Sequence, residues 1–300
     1  MLRKTVTVAL VSIVILAAAG SYLLYFRQES TTSSGYANSQ LLVDGVWLSA
    51  RLNNQSVRII DVRGQDEYRL GHIRNAVRLE YGSLRITVNG VMKPAPTEKV
   101  ESVLGESGLT PEVTVVIYDE ARSQDAALVF WTLEYFGHRD VKILDGGWNK
   151  WMADGNPVTK ENASYGKAVY KANPRPELLA TADYVLANLK NPKTVVLDVR
   201  SPSEFNGVDV RSKRGGHIPG SVNVEWSRTL NPDGTFRSSN DLLAMYQQAG
   251  VTKDKEVITS CQTGHRAAHG YFTMRLLDYS VRLYGGSWQE WGNREDLPIE

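Results

Sequence analysis

Cys261 is the only cysteine in this 300-residue chain, and it opens the six-residue run Cys261-Gln-Thr-Gly-His-Arg266. An apolar, β-branched run, Glu256-Val-Ile-Thr-Ser260, precedes it, and Ala267, Tyr271, Met274 and Leu277 follow at helical spacing. A tight loop between a strand and a helix turns its backbone N–H groups inward, and the helix dipole adds positive potential. Together with Arg266, and His265 when charged, these groups favour the thiolate, the form that attacks. A lone cysteine is otherwise read as a small buried hydrophobe. Gln, Thr, Gly, His and Arg are poor core formers, so the neighbours argue for a reactive thiol.

The elements that must hold this loop repeat along the chain. Val57-Arg-Ile-Ile-Asp-Val-Arg63 matches Thr194-Val-Val-Leu-Asp-Val-Arg200, and Gly71-His-Ile73 matches Gly216-His-Ile218. Val115-Val-Ile-Tyr118 then matches Val257-Ile-Thr-Ser260, and Gly146-Gly-Trp-Asn-Lys-Trp151 matches Gly285-Gly-Ser-Trp-Gln-Glu-Trp291. Matches in the same order over such lengths mean a duplicated domain, each copy too long for a solenoid unit and large enough to fold by itself. Asn156 to Pro176, with three prolines and little apolar periodicity, reads as the linker.

Within each copy β-branched runs alternate with helical patterns, among them helices expected at Thr97–Ser107 and Asp241–Ala249, which end at Gly108 and Gly250. This alternation predicts an α/β fold: a parallel sheet flanked by helices on both faces in each of two domains. Ligands of such sheets sit beyond the carboxyl ends of the strands, and Cys261 directly follows one such end.

Composition narrows the partners. At 42% hydrophobic residues and a formal charge of +1, the chain has no long basic or acidic block, so nucleic acid is not expected as a partner. One cysteine excludes an internal disulfide and any multi-cysteine metal site, and the five histidines lack ligand spacing, so neither metal nor cofactor is expected. Arg3 and Lys4 precede an uncharged stretch from Thr5 to Phe26, long enough to span a bilayer. Residues 1–30 therefore read as a signal anchor or signal peptide and 31–40 as a linker, with the rest exported to the periplasm. Ala17-Ala-Ala19 offers a cleavage site, but the apolar run continues past it, which favours retention in the inner membrane through residues 5–26.

At this point the chain resembles the tandem-domain rhodanese family of sulfurtransferases. The resemblance spans about residues 41–300 and rests on Asp198-Val-Arg200, Gly216-His-Ile-Pro-Gly-Ser-Val-Asn223, the Cys261–Arg266 loop and Gly285-Gly-Ser-Trp288. It implies two rhodanese-like domains, an inactive one over 41–155 and a catalytic one over 177–300, joined by the linker 156–176. The inactive copy has Asp119 where the second has Cys261, and an aspartate cannot carry a persulfide. The resemblance implies that Cys261 becomes a persulfide, with substrate bound by Gln262, Thr263, Gly264, His265 and Arg266. Gly264 would let the loop turn tightly, since glycine accepts positive φ. A solvent-facing Gln262 is the plain alternative.

The implied reaction moves sulfur from a small anionic donor to a thiol, cyanide or protein acceptor, by a monomer. The terminal Arg266 resembles that of bacterial thiosulfate-using members, while mercaptopyruvate enzymes generally place an arginine where this chain has Glu204. Thiosulfate is thus the expected donor, with mercaptopyruvate or a carrier role without turnover as alternatives. Related phosphatases use Cys-x5-Arg, and the four residues between Cys261 and Arg266 make a smaller cradle. Asp61, Arg63, Asp198 and Arg200 occur in both copies and read as braces, and Arg211, Lys213 and Arg214 as a solvated basic insertion.

Overall fold

In the computed structural model, which describes residues 35–300, the repeated β-branched runs form the centres of two five-stranded sheets. The first contains β1 (Leu42–Val43), β2 (Val57–Asp61), β3 (Ala76–Arg78), β4 (Thr114–Tyr118) and β5 (Val141–Leu144), in the order β1-β5-β4-β2-β3. The second contains β6 (Leu179–Ala180), β7 (Thr194–Asp198), β8 (Val222–Asn223), β9 (Glu256–Ser260) and β10 (Val281–Tyr284), in the order β6-β10-β9-β7-β8. Every pairing in both sheets is parallel. The expected signal or anchor segment, residues 1–30, lies outside the described residues, among which no helix is long and apolar enough to cross a membrane.

Alternation along the central strands explains the layers. Ile60, Val115 and Ile117 face one core, while Ile59, Val116 and Tyr118 face another on the opposite side of the first sheet. Val196, Ile258 and Tyr284 do the same on the outer face of the second sheet. The inner faces share one continuous core across both domains, built around the helices Gln124–Tyr135 and His265–Leu276. Both helices are buried almost all round because they pack on each other as well as on their sheets. Phe130 meets Phe272 edge-on at 4.8 Å, and Glu134 accepts hydrogen bonds from Tyr271 Oη (2.8 Å) and Arg275 Nη2 (2.6 Å).

The helices expected from terminal glycines run over Thr97–Glu106 and Ser239–Gln248. The segment 156–176 is a strap rather than a free tether. Val158–Thr159 pairs antiparallel with His72–Ile73, Ala168 N–H donates to Gly105 (2.9 Å), and Arg175 N–H donates to Tyr135 (2.6 Å). The region before β1 is tied down in the same fashion: Tyr36 Oη donates to the Arg237 carbonyl and Asn38 N–H to Leu276 (3.1 Å). Each connecting segment thus caps the end of one central helix.

Candidate active site

Strand β9 delivers Cys261 to the carboxyl edge of its sheet, with Asp198 of β7 paired in register beside Ser260. Cys261 is buried, at 1% exposure. Its carbonyl accepts from Trp288 N–H (3.0 Å), and the Gln262 carbonyl from Gln289 N–H (2.8 Å), so the Gly-Gly-Ser-Trp motif clamps the loop from one side. Cys261 N–H donates to Ser287 Oγ (3.1 Å), whose hydroxyl in turn donates a hydrogen bond to the Tyr284 carbonyl (2.8 Å). Ser287 takes φ 49°, a left-handed conformation uncommon for a residue with a Cβ. The equivalent Gly147 of the first copy takes φ 57°, so the conformation belongs to the turn shared by both copies, and the serine here adds the hydroxyl bridge to Cys261.

Gly264 turns the loop into the helix at φ 84°. A Cβ there would lie 2.7 Å from the Met92 methyl and 2.8 Å from the Gly285 carbonyl. Met92 belongs to the hairpin Arg85–Val88/Val91–Pro94 of the first domain, which therefore walls the loop. Among the described residues the N–H groups of Gln262, Thr263 and Gly264 meet no acceptor, which leaves three donors of the Cys261 loop available to an anion.

The side chains named from the sequence have divided roles. Thr263 is exposed at the loop crest. Gln262 is buried rather than solvent-facing: its Nε2 donates to Ser212 Oγ (3.0 Å) and the Arg211 carbonyl (3.3 Å), tying the insertion to the catalytic loop. His265 bonds through Nε2 to Asp125 Oδ1 of the first domain and lies 5.4 Å from the Tyr81 ring. Arg266 does not present a free guanidinium to the pocket. Its Nη1 and Nη2 each donate to Glu204 at 2.7 Å in a two-pronged ion pair. Burial alone would raise the Glu204 carboxyl, but the hydrogen bonds and charge of Arg266, with Ser201, pull it down to about 2. Burial disfavours the Arg266 charge, but Glu204 and the negative field of a Cys261 thiolate hold it above its ordinary range.

The basic insertion is only partly solvated. Arg211 pairs with Asp209 (2.6 Å) and Glu204 (3.3 Å), while Arg214 donates to the carbonyls of Trp291 and Leu297 (both 3.0 Å), fixing the C-terminal tail. The braces are equivalent in the two copies. Arg63 grips Asp61 (2.7 Å) and the Gly71 carbonyl (2.7 Å), and Arg200 grips Asp198 (2.7 Å) and the Gly216 carbonyl (2.9 Å), each beneath a tryptophan, Trp148 or Trp288. Sequence reasoning missed Ser287 and Asp125 as site residues. A serine in Gly285-Gly-Ser-Trp288 where the first copy has Gly147 was the available signal for Ser287.

In the first domain Asp119 follows β4 as Cys261 follows β9. Trp148 N–H donates to its carbonyl (2.9 Å) and Asn149 N–H to that of Glu120 (2.9 Å), the same clamp as in the second domain. The Asp119 carboxylate fills its own loop, accepting from the N–H groups of Ser123 (3.0 Å) and Ala126 (3.4 Å). Burial pushes its pKa up to about 6. Beside this loop lies a cavity of about 580 Å³ between the domains, lined by Arg122, Lys150, Trp226 and Asn231 among others. The first copy thus has a cleft beside its loop but an aspartate where the second has Cys261.

Paired α/β domains with a cysteine at the strand end of one and an aspartate at that of the other define a duplicated sulfurtransferase-type scaffold. The rhodanese-like domain family model matches residues 44–154 and 181–294, and the chain belongs to the tandem-domain rhodanese family. It is 36% identical over 284 residues to the sulfur carrier protein TtuD of Thermus thermophilus, covering 88% of this chain and 98% of that one. It is 33% identical over 269 residues to the thiosulfate sulfurtransferase of Azotobacter vinelandii, again over 88% and 98%. The same fold occurs in the anaerobic ergothioneine biosynthesis enzyme of Chlorobium limicola, at TM-score 0.79 and 23% identity over 87% of this chain and 70% of that one.

Proposed function

We propose that the protein is a thiosulfate sulfurtransferase that works through a persulfide on Cys261. The observation that carries this reading is the placement of the sole cysteine at the end of β9, at the head of a loop in which the N–H groups of Gln262, Thr263 and Gly264 meet no acceptor among the described residues. The Cys261 thiolate attacks the outer sulfur of thiosulfate, the S–S bond of the donor breaks, and its electron pair leaves with sulfite. An acceptor nucleophile then attacks the outer sulfur of the persulfide, and the electron pair of that S–S bond returns to Cys261. Donor and leaving group are both dianions, so fixed N–H groups in a water-poor loop can stabilise the charge that develops. Thiosulfate is favoured over mercaptopyruvate because Glu204 occupies the position where mercaptopyruvate enzymes generally have an arginine, which leaves that donor's carboxylate without the cation such enzymes provide. Side-by-side steady-state assays with cyanide as acceptor test this: thiosulfate should give much the higher kcat/KM, and the reverse ratio would reassign the donor.

A second reading is favoured by the similarity to a sulfur carrier protein: Cys261 stores sulfane sulfur and passes it to a protein partner without useful turnover on small acceptors. Rapid persulfide formation in a single turnover with negligible steady-state transfer to cyanide would mark the carrier. The apolar stretch 5–26 after Arg3 and Lys4 supports a periplasmic place of action at the inner membrane, which fractionation of the host tests.

A further inference from the structure

Glu204 forms the two-pronged ion pair with Arg266 at the end of the Cys261 loop, a pairing that the first copy lacks. The equivalent residue in the first copy, Glu67, occupies the same third position of its short helix, Gln65–Leu70, yet is exposed. There the position of Arg266 is taken by Asp125, so Glu67 has no guanidinium to meet. In the second copy the helix Pro202–Phe205 begins with a capping box, in which Ser201 Oγ accepts from Glu204 N–H (3.3 Å) and Ser201 N–H donates to Glu204 Oε2 (3.2 Å). The same carboxylate then takes both prongs of Arg266 and one contact from Arg211 at 3.3 Å. The other charges nearby are already matched, Arg200 to Asp198 and Arg211 to Asp209. Glu204 is therefore what decides whether the rim of the Cys261 loop carries a net positive charge.

An uncompensated guanidinium there would hold thiosulfate, sulfite and inert dianions alike. Binding of that kind lowers KM without lowering the barrier, and it slows the departure of sulfite. We propose that Glu204 is a specificity-determining residue that holds Arg266 in place and cancels its charge, leaving dianion recognition to the backbone N–H groups and keeping the site weak for bystander anions. This rests on the sulfurtransferase reading for its kinetic consequence but not for its binding consequence. The test is built on that difference.

In Cys261→Ser protein, which cannot turn over, calorimetry with inorganic sulfate and with thiosulfate should show binding about three- to tenfold tighter when Glu204→Gln is added, with a steeper loss of affinity as ionic strength rises. Glu204→Asp keeps the charge at shorter reach and should tighten binding in the same direction by less, which covers the case in which the glutamine variant fails to fold. Ser238→Ala removes the cap of the helix Ser239–Gln248 and touches neither Glu204 nor Arg266, so it should lower Tm and leave sulfate affinity alone. In protein with Cys261 intact, Glu204→Gln should lower both KM and kcat for thiosulfate and strengthen inhibition by sulfite. Unchanged or weaker sulfate binding in both Glu204 variants, or a change in Ser238→Ala as large as theirs, overturns the proposal. Tighter sulfate binding in a protein that forms no persulfide would uphold it and defeat the sulfurtransferase reading instead.

Discussion

Asp119 stands in the first domain where Cys261 stands in the second, each at the end of a central strand and each with its carbonyl clamped by a tryptophan N–H. The two loops differ in what fills them: the first holds its own carboxylate, while in the second the N–H groups of Gln262, Thr263 and Gly264 meet no acceptor among the described residues. Asp125 also stands at the position of Arg266, and it reaches across the interface to His265. The first copy has become part of the wall of the other copy's site.

Restoring a thiol should therefore not restore a second site. Asp119→Cys is expected to yield a second cysteine that alkylates after unfolding but takes up no sulfur from thiosulfate, because Asp125 adds a carboxylate at the helix start where the second loop has the charge-balanced Arg266–Glu204 pair. Intact mass after thiosulfate treatment should show one added sulfur per chain; two would contradict this account of the relict loop.

The buried Asp119 carboxyl also makes a pH prediction. Its folded pKa, raised by burial to about 6, exceeds that of the unfolded chain, so the folded protein holds a proton over a range where the unfolded chain has lost it. Its contribution to stability is complete below the unfolded value and is lost as pH rises through about 6. Asp119→Asn removes the cost of ionisation and should stabilise the protein by about 1–3 kcal/mol near pH 8, a gain that fades towards pH 4. Urea titrations at several pH values check it, and a gain that grew on acidification would be the wrong sign.

Ser287 separates strain from function. Ser287→Ala keeps the left-handed backbone but strips the acceptor from Cys261 N–H, and should cost about 1–2 kcal/mol together with about tenfold in persulfide formation. Ser287→Gly relieves the strain at φ 49° and should recover part of the stability but none of the rate. Stopped-flow loading with thiosulfate, set against denaturant midpoints, distinguishes the two; recovery of rate in the glycine variant would show that the hydroxyl is dispensable.

The repeat, the parallel sheets and the strand–loop–helix setting of Cys261 were legible because they rest on local patterns: β-branched runs of five residues, helical spacing from Ala267 to Leu277, and short motifs that recur in order. What escaped the sequence lies in contacts between distant parts of the chain. Glu204 and Arg266 are 62 residues apart, Asp125 and His265 140, and nothing in the local pattern of either partner names the other. Gln262 is ambiguous for the same reason, since its burial depends on an insertion 50 residues earlier that folds over it. The prolines and weak periodicity of 156–176 correctly signal irregular backbone, but irregular backbone still needs hydrogen-bond partners, and the first domain supplies them.

The central claim is that Cys261 accepts sulfur from thiosulfate. Intact mass spectrometry of the protein after brief exposure to thiosulfate, then to cyanide, tests it most directly. The expected result is a gain of one sulfur atom that cyanide removes and that Cys261→Ser never acquires. A wild-type protein that gains no sulfur, or a serine variant that gains as much, would contradict it.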